Sequence, residues 1–133
     1  MIPKFRAWGK QECEFIPYLH NVVLKRDGTI EGIEYEMPHE GIVYNDISYF
    51  ELLQSTGLFD LDGNEIYVGD ILKMDDEYTQ VVFHEDNTTY GIYLEDKEGG
   101  GNPISDYSTR ISLNHINGNI EGNIYQHPHL LKE

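Results

Sequence analysis

Residues 55–74 read STGLFDLDGNEIYVGDILKM, and the fold turns on whether this is a metal loop or a pair of tight turns between strands. Asp60, Asp62 and Asn64 alternate as the first three ligands of a calcium loop do. Such a loop also needs glycine at position six and a bidentate glutamate at position twelve. Counting from Asp60, those positions hold Glu65 and Ile71. The sharp bend and the closing ligand are both missing, and the neighbouring residues have strand character where flanking helices would be required. An Asp-Gly pair between apolar runs is a common hairpin signal. The stretch reads as a turn.

Working outward, the composition favours strands. Ten tyrosines accompany many Ile, Val and Phe residues, whereas Ala7 is the sole alanine. Turn pairs recur at Asp27-Gly28, Asp62-Gly63, Gly69-Asp70, Asp86-Asn87 and Asn117-Gly118, a spacing suited to antiparallel sheet rather than βαβ units. A hairpin is expected with strands 22–25 and 30–36 about Asp27-Gly28, and a three-stranded meander over 71–74, 80–84 and 90–95. The segment 98–109, EGGGNPISDYST, is expected to be an exposed mobile loop without regular structure. Residues 47–55, ISYFELLQS, fit a short helix or an alternating strand equally well. A helical turn after Pro128 would bury Leu130 and Leu131. The expected fold is mainly β, a distorted antiparallel β-barrel with little helix. We expect one domain over 1–133, softly divided into an N-terminal β region at 1–55 and a barrel with its tail at 56–133.

A chain of 133 residues can bury enough surface to fold without staples. Cys13 is the single cysteine, so no internal disulfide forms, and a reducing, cytoplasmic setting is expected. The first residues lack a signal-peptide core, and no run is long enough to span a membrane. The net charge of −15 is unevenly placed: residues 1–26 hold five bases against two acids, and the rest holds four against 22. A surface of that sign disfavours nucleic acid and anionic membrane as partners. It also suggests that a basic segment meets an acidic surface on another subunit.

No catalytic constellation emerges. His127 and His129 are the only closely spaced histidines, but two ligands do not complete a metal site. Cys13 sits between Glu12 and Glu14, which disfavour its thiolate. There is no Gly-x-Ser-x-Gly elbow, and the Gly99–Gly101 run lacks the Lys-Ser/Thr of a phosphate loop. No cofactor is expected. Tyr67, Tyr78, Phe83, Tyr90 and Tyr93, in or beside the meander, would serve as core or as a stacking platform.

Three segments together resemble the YopX family: KFRAW (Lys4–Trp8), the 55–74 stretch itself, and GNIYQHPHLL (Gly122–Leu131). Gly9 departs from the family, which commonly has an acidic residue there. The resemblance implies a β-rich, barrel-like fold with an SH3-like portion in the second half, a phage or prophage origin in the host cytoplasm, and self-association. It implies no established activity. The shared Gly57, Asp62, Gly63, Gly69 and Asp70 make sense as backbone devices, since glycine enters positive-φ turns and aspartate bonds nearby amides. The expected function is a non-catalytic, homo-oligomeric accessory protein that binds an unidentified host or phage protein. Alternatives are a carboxylate-dependent metal enzyme acting on nucleotides or nucleic acid, and an acidic DNA mimic. Lys4, Phe5, Arg6 and Trp8 are the candidate oligomer contacts, aromatic anchors beside cations that would pair with carboxylates.

Overall fold

The structure is a computed structural model and describes residues 4–85, 90–110 and 112–132. The chain divides into two compact units, Met1–Gln54 and Ser55–Glu133.

In the first unit, β1 (Phe5–Gly9) lies between β2 (Glu14–Phe15) and the opening of a long strand, β6 (Phe50–Phe59). The register of β1 on β6 runs from Phe5↔Gln54 to Gly9↔Phe50. A separate antiparallel sheet has the order β3 (Leu19–Leu24), β4 (Ile30–Met37), β5 (Gly41–Asp46). The expected hairpin about Asp27-Gly28 is β3–β4. Its turn is closed by Asp27, whose carboxylate accepts from the Thr29 N–H at 2.9 Å and the Thr29 hydroxyl at 2.6 Å. Alternation along β4 sends Ile33 and Tyr35 into a core with Ala7 and Phe50. Tyr35 and Phe50 meet edge to face, with centroids 5.6 Å apart. The ambiguous segment 47–55 resolves into both forms in succession. Asp46 caps a 3-10 turn (Ile47–Tyr49) by accepting from the Ser48 N–H, and the chain is extended from Phe50 onward. Pairing with β1 supplies the backbone partners that a short isolated helix would lack.

In the second unit, β6 continues and pairs with β7 (Glu65–Tyr67). A five-stranded antiparallel sheet follows, in the order β11 (Gly101–Pro103), β10 (Tyr90–Glu95), β9 (Glu77–Glu85), β8 (Asp70–Met74), β12 (Asn119–Asn123). This sheet curls into a half-barrel, and the fold is mostly β, the helix among the described residues being single 3-10 turns. Its core is Ile66, Leu72, Val81 and Leu94 from four strands, with Ile104 and Ile116 from the segments between β11 and β12. The meander β8–β9–β10 is present, with Val81 opposite Leu94 across the β9–β10 ladder. The Asp86-Asn87 turn lies outside the described residues.

The segment 98–109 departs from expectation. It contains β11, paired to β10, and a 3-10 turn (Ile104–Tyr107) whose Ile104 joins the core. The glycines admit the pairing instead of preventing it: a Cβ on Gly101 would lie 2.0 Å from the Leu94 carbonyl oxygen. The expected turn after Pro128 is a 3-10 turn (Pro128–Leu131) in which Leu130 and Leu131 are half-buried. No helix among the described residues is long and apolar enough to cross a membrane.

Candidate functional site

The 60–65 loop is organised around the buried carboxylate of Asp60. Oδ1 accepts the backbone N–H of Asp62 at 3.0 Å and of Asn64 at 2.8 Å. Oδ2 accepts the N–H of Ile120 at 3.0 Å. Asp62 faces outward and accepts from the Asn119 side-chain amide at 2.7 Å. The loop is thus a hydrogen-bonded hub, its acceptors aimed at amides. Gly63 has φ +85°, the left-handed value that the bend requires.

The remaining turn residues sit at two further bends. Gly57 has φ +75° in the middle of β6, where the ladder to β7 shifts register between Ser55 and Phe59. Ser55 and Thr56 stand at the start of that shift: the Ser55 hydroxyl donates to Glu65, and the Thr56 hydroxyl donates to the Ile66 carbonyl at 2.7 Å. Gly69 has φ +96°, and buried Asp70 accepts the Tyr67 N–H at 2.8 Å, closing the turn into β8.

The second unit carries an open cavity of about 480 Å³. Met74 and Leu94 supply apolar lining, and Asp75, Glu77, Asp96 and Asp106 bring four carboxylates to its wall; Asn102 and Tyr107 add polar groups, and among the described residues no basic one lines it. Asp96 is partly committed, since its Oδ1 accepts the N–H of Glu98 and of Gly100. No side-chain hydrogen bond or ion pair of Asp75, Glu77 or Asp106 is found among the described residues. Asp75 and Asp76 form the two-residue turn between β8 and β9, with φ of +47° and +69°. Such a turn usually favours Asn-Gly or Asp-Gly. Among the described residues, no three His, Cys, Asp or Glu side chains converge closely enough to share a metal ion. A wall with this charge and width suits an organic cation such as a lysine or arginine side chain.

None of the four wall carboxylates was singled out by sequence reasoning. They come from the β8–β9 turn, the first residue of β9, the end of β10 and the turn after β11, so no spacing along the chain marks them. The one available signal was Asp-Asp between two apolar strands, at a turn where glycine would be easier.

The candidate oligomer contacts occupy β1 or lie just before it. Trp8 is buried and packs edge to face on Phe15 at 4.9 Å, and the Arg6 guanidinium lies over the same ring at 4.4 Å. The indole is therefore committed within its own unit, while Lys4 is exposed and Phe5 half-buried. His127 and His129 lie 6.1 Å apart between ring centroids, but Nδ1 of His127 accepts the Asn123 N–H at 3.2 Å and is occupied. The meander aromatics do not form one platform: Phe83 and Tyr93 fall on opposite faces, Phe83 across from Ile92 and Tyr93 across from Val82. The side chain of Tyr90 lies outside the described residues.

Comparison with known proteins agrees with this architecture. The crystal structure of protein EF1440 from Enterococcus faecalis superposes with a TM-score of 0.66, covering 99% of each chain at 23% sequence identity. At that identity the likeness speaks for the fold alone. A search of curated proteins returns no match. The family model described as YopX protein matches residues 4–132. That match takes in the first strand, the Asp60 hub and the final turn, and on it the chain belongs to the YopX family.

Proposed function

We propose that this protein is a non-catalytic, phage- or prophage-encoded binding module that receives a cationic segment of another protein. The observation that supports this reading is the cavity of the second unit, whose wall, among the described residues, carries four carboxylates and no basic residue. A lysine or arginine entering it would make charge-assisted hydrogen bonds to the wall carboxylates, while its aliphatic stem lay along Met74. The net charge of −15 would add long-range attraction and speed the encounter. Self-association through the start of the chain belongs to the same reading, with Lys4 and Phe5 as the members that keep exposure.

Calorimetric titration with a hexalysine peptide tests the cavity. The expected result is binding that weakens steeply with salt and falls at least about tenfold in the double variant Glu77→Gln, Asp106→Asn. Equal binding by the double variant and the parent would assign the attraction to diffuse surface charge and reject the site.

A further inference from the structure

Sheet edges expose unpaired backbone groups, and proteins blunt them by shortness, bulges, proline or lysine. Most edges here are blunted in one of these ways. β2 has two residues, and β7 and β11 have three each. β12 is interrupted between Ile120 and Gly122. β3 is interrupted twice, at Leu19/Asn21 and at Val23/Leu24.

β5 is different. It runs for six residues in unbroken register, from Gly32↔Asp46 to Met37↔Gly41, and contains neither lysine nor proline. Among the described residues, no backbone hydrogen bond reaches it from any element except β4. Val43 points to the core, so alternation puts Ile42 and Tyr44 on the outer face, where they are 60% and 45% exposed. A long, regular, apolar edge of this kind is the template for strand addition.

We propose that β5 accepts an added strand from another protein, an extended segment in which apolar residues alternate with lysine or arginine. Charge selects this occupant. On the outer face Glu34 stands across from Tyr44 and Glu36 across from Ile42. Glu31 accepts from the Tyr44 hydroxyl at 2.7 Å, and Asp46 ends the strand. A lysine or arginine on the added strand would lay its stem over Ile42 or Tyr44 and bring its head to these carboxylates. A second copy fits less well. Two-fold pairing that sets Ile42 against Tyr44 of the other copy also sets Asp46 against Glu40 at both ends, and directly opposed like charges oppose pairing. This inference does not rest on the cavity reading, because it concerns the other unit.

The experiment is an amide NMR titration of the full chain with a capped octapeptide of alternating lysine and valine. Shifts centred on residues 41–46, with a dissociation constant below about 1 mM, are the expected result. The matching glutamate–valine peptide should bind at least tenfold more weakly, and so should a lysine–valine peptide N-methylated at alternate amides. Ile42→Lys, which adds an edge charge at an exposed position, should weaken binding at least tenfold without moving the melting temperature. Shifts confined to residues 75–106 would overturn the inference while supporting the cavity. Silence of 41–46 at millimolar peptide would overturn it, as would undiminished binding of the N-methylated peptide. Concentration-dependent shifts of 41–46 without peptide would give the edge to a second copy and also overturn it.

Discussion

The carboxylate of Asp60 accepts the backbone N–H of Ile120 at 3.0 Å, a bond that spans sixty positions of the chain. The same carboxylate holds the N–H groups of Asp62 and Asn64, so one buried side chain ties its own loop to strand β12. Each backbone N–H left without a partner costs about 1–3 kcal/mol. Asp60→Ala should therefore destabilise the protein by about 3–5 kcal/mol, read from urea unfolding. A loss below about 1 kcal/mol would show that these bonds are replaceable by water. Millimolar calcium should leave the unfolding midpoint of the parent unchanged, because the oxygens already face amides.

Two glycine substitutions should separate strain from collision. Gly57 has φ +75° and open space within 4 Å of where a Cβ would sit, so Gly57→Ala meets backbone strain, about 1–3 kcal/mol. Gly101→Ala instead drives a Cβ onto the Leu94 carbonyl oxygen. It should detach β11 and speed amide exchange along β10. Unaltered exchange at Leu94 and Glu95 in that variant would refute the close approach.

The Tyr44 phenol is pushed up to about 12, first by its hydrogen bond to Glu31 and then by loss of solvent. A raised phenol pKa means that the folded state holds its proton more tightly. The associated stabilisation is complete below pH 10 and is lost as pH rises through about 12. Glu31→Gln should return one tyrosine to a midpoint nearer 10, measured by phenolate absorbance. An unchanged titration curve would place the cause elsewhere.

Like charges on the cavity wall should repel one another when the cavity holds no cation. Glu77→Gln with Asp106→Asn should raise the melting temperature slightly in low salt, with the difference vanishing near 1 M salt as screening shortens. The same variant should lose hexalysine binding. Lower stability in low salt would mean that these side chains make structural contacts instead.

Assembly through the start of the chain has a direct check in light scattering. An oligomer at tens of micromolar should be weakened by Lys4→Glu in a salt-dependent way, because an exposed cation at an interface rim acts mainly through long-range charge. A monomer at that concentration would reject self-association. Trp8→Ala is expected to act chiefly on stability, since its indole lies against Phe15 inside its own unit.

The sequence by itself determined what neighbouring residues can encode. Tyrosine- and valine-rich alternation set the strands of the hairpin and the meander, and the bulk of the β architecture follows from that local pattern. The three matching segments placed the chain in its family. Only the tertiary structure decided what depends on which strands lie side by side. The glycine run at 99–101 looked too flexible for a strand, yet β10 offers it a ladder and Ile104 a place in the core. Trp8 looked available to a second copy until Phe15 was brought beneath it. Asp60 found its third amide donor sixty residues away, and the wall carboxylates came to line one cavity only when separate segments of the chain were brought together. The regular free edge of β5 likewise becomes visible only once the other edges are known to be short or bulged. Turn chemistry and side-chain period act over a few residues and survive in any context, whereas a ladder partner, a burial or a charge cluster is a property of two distant stretches at once.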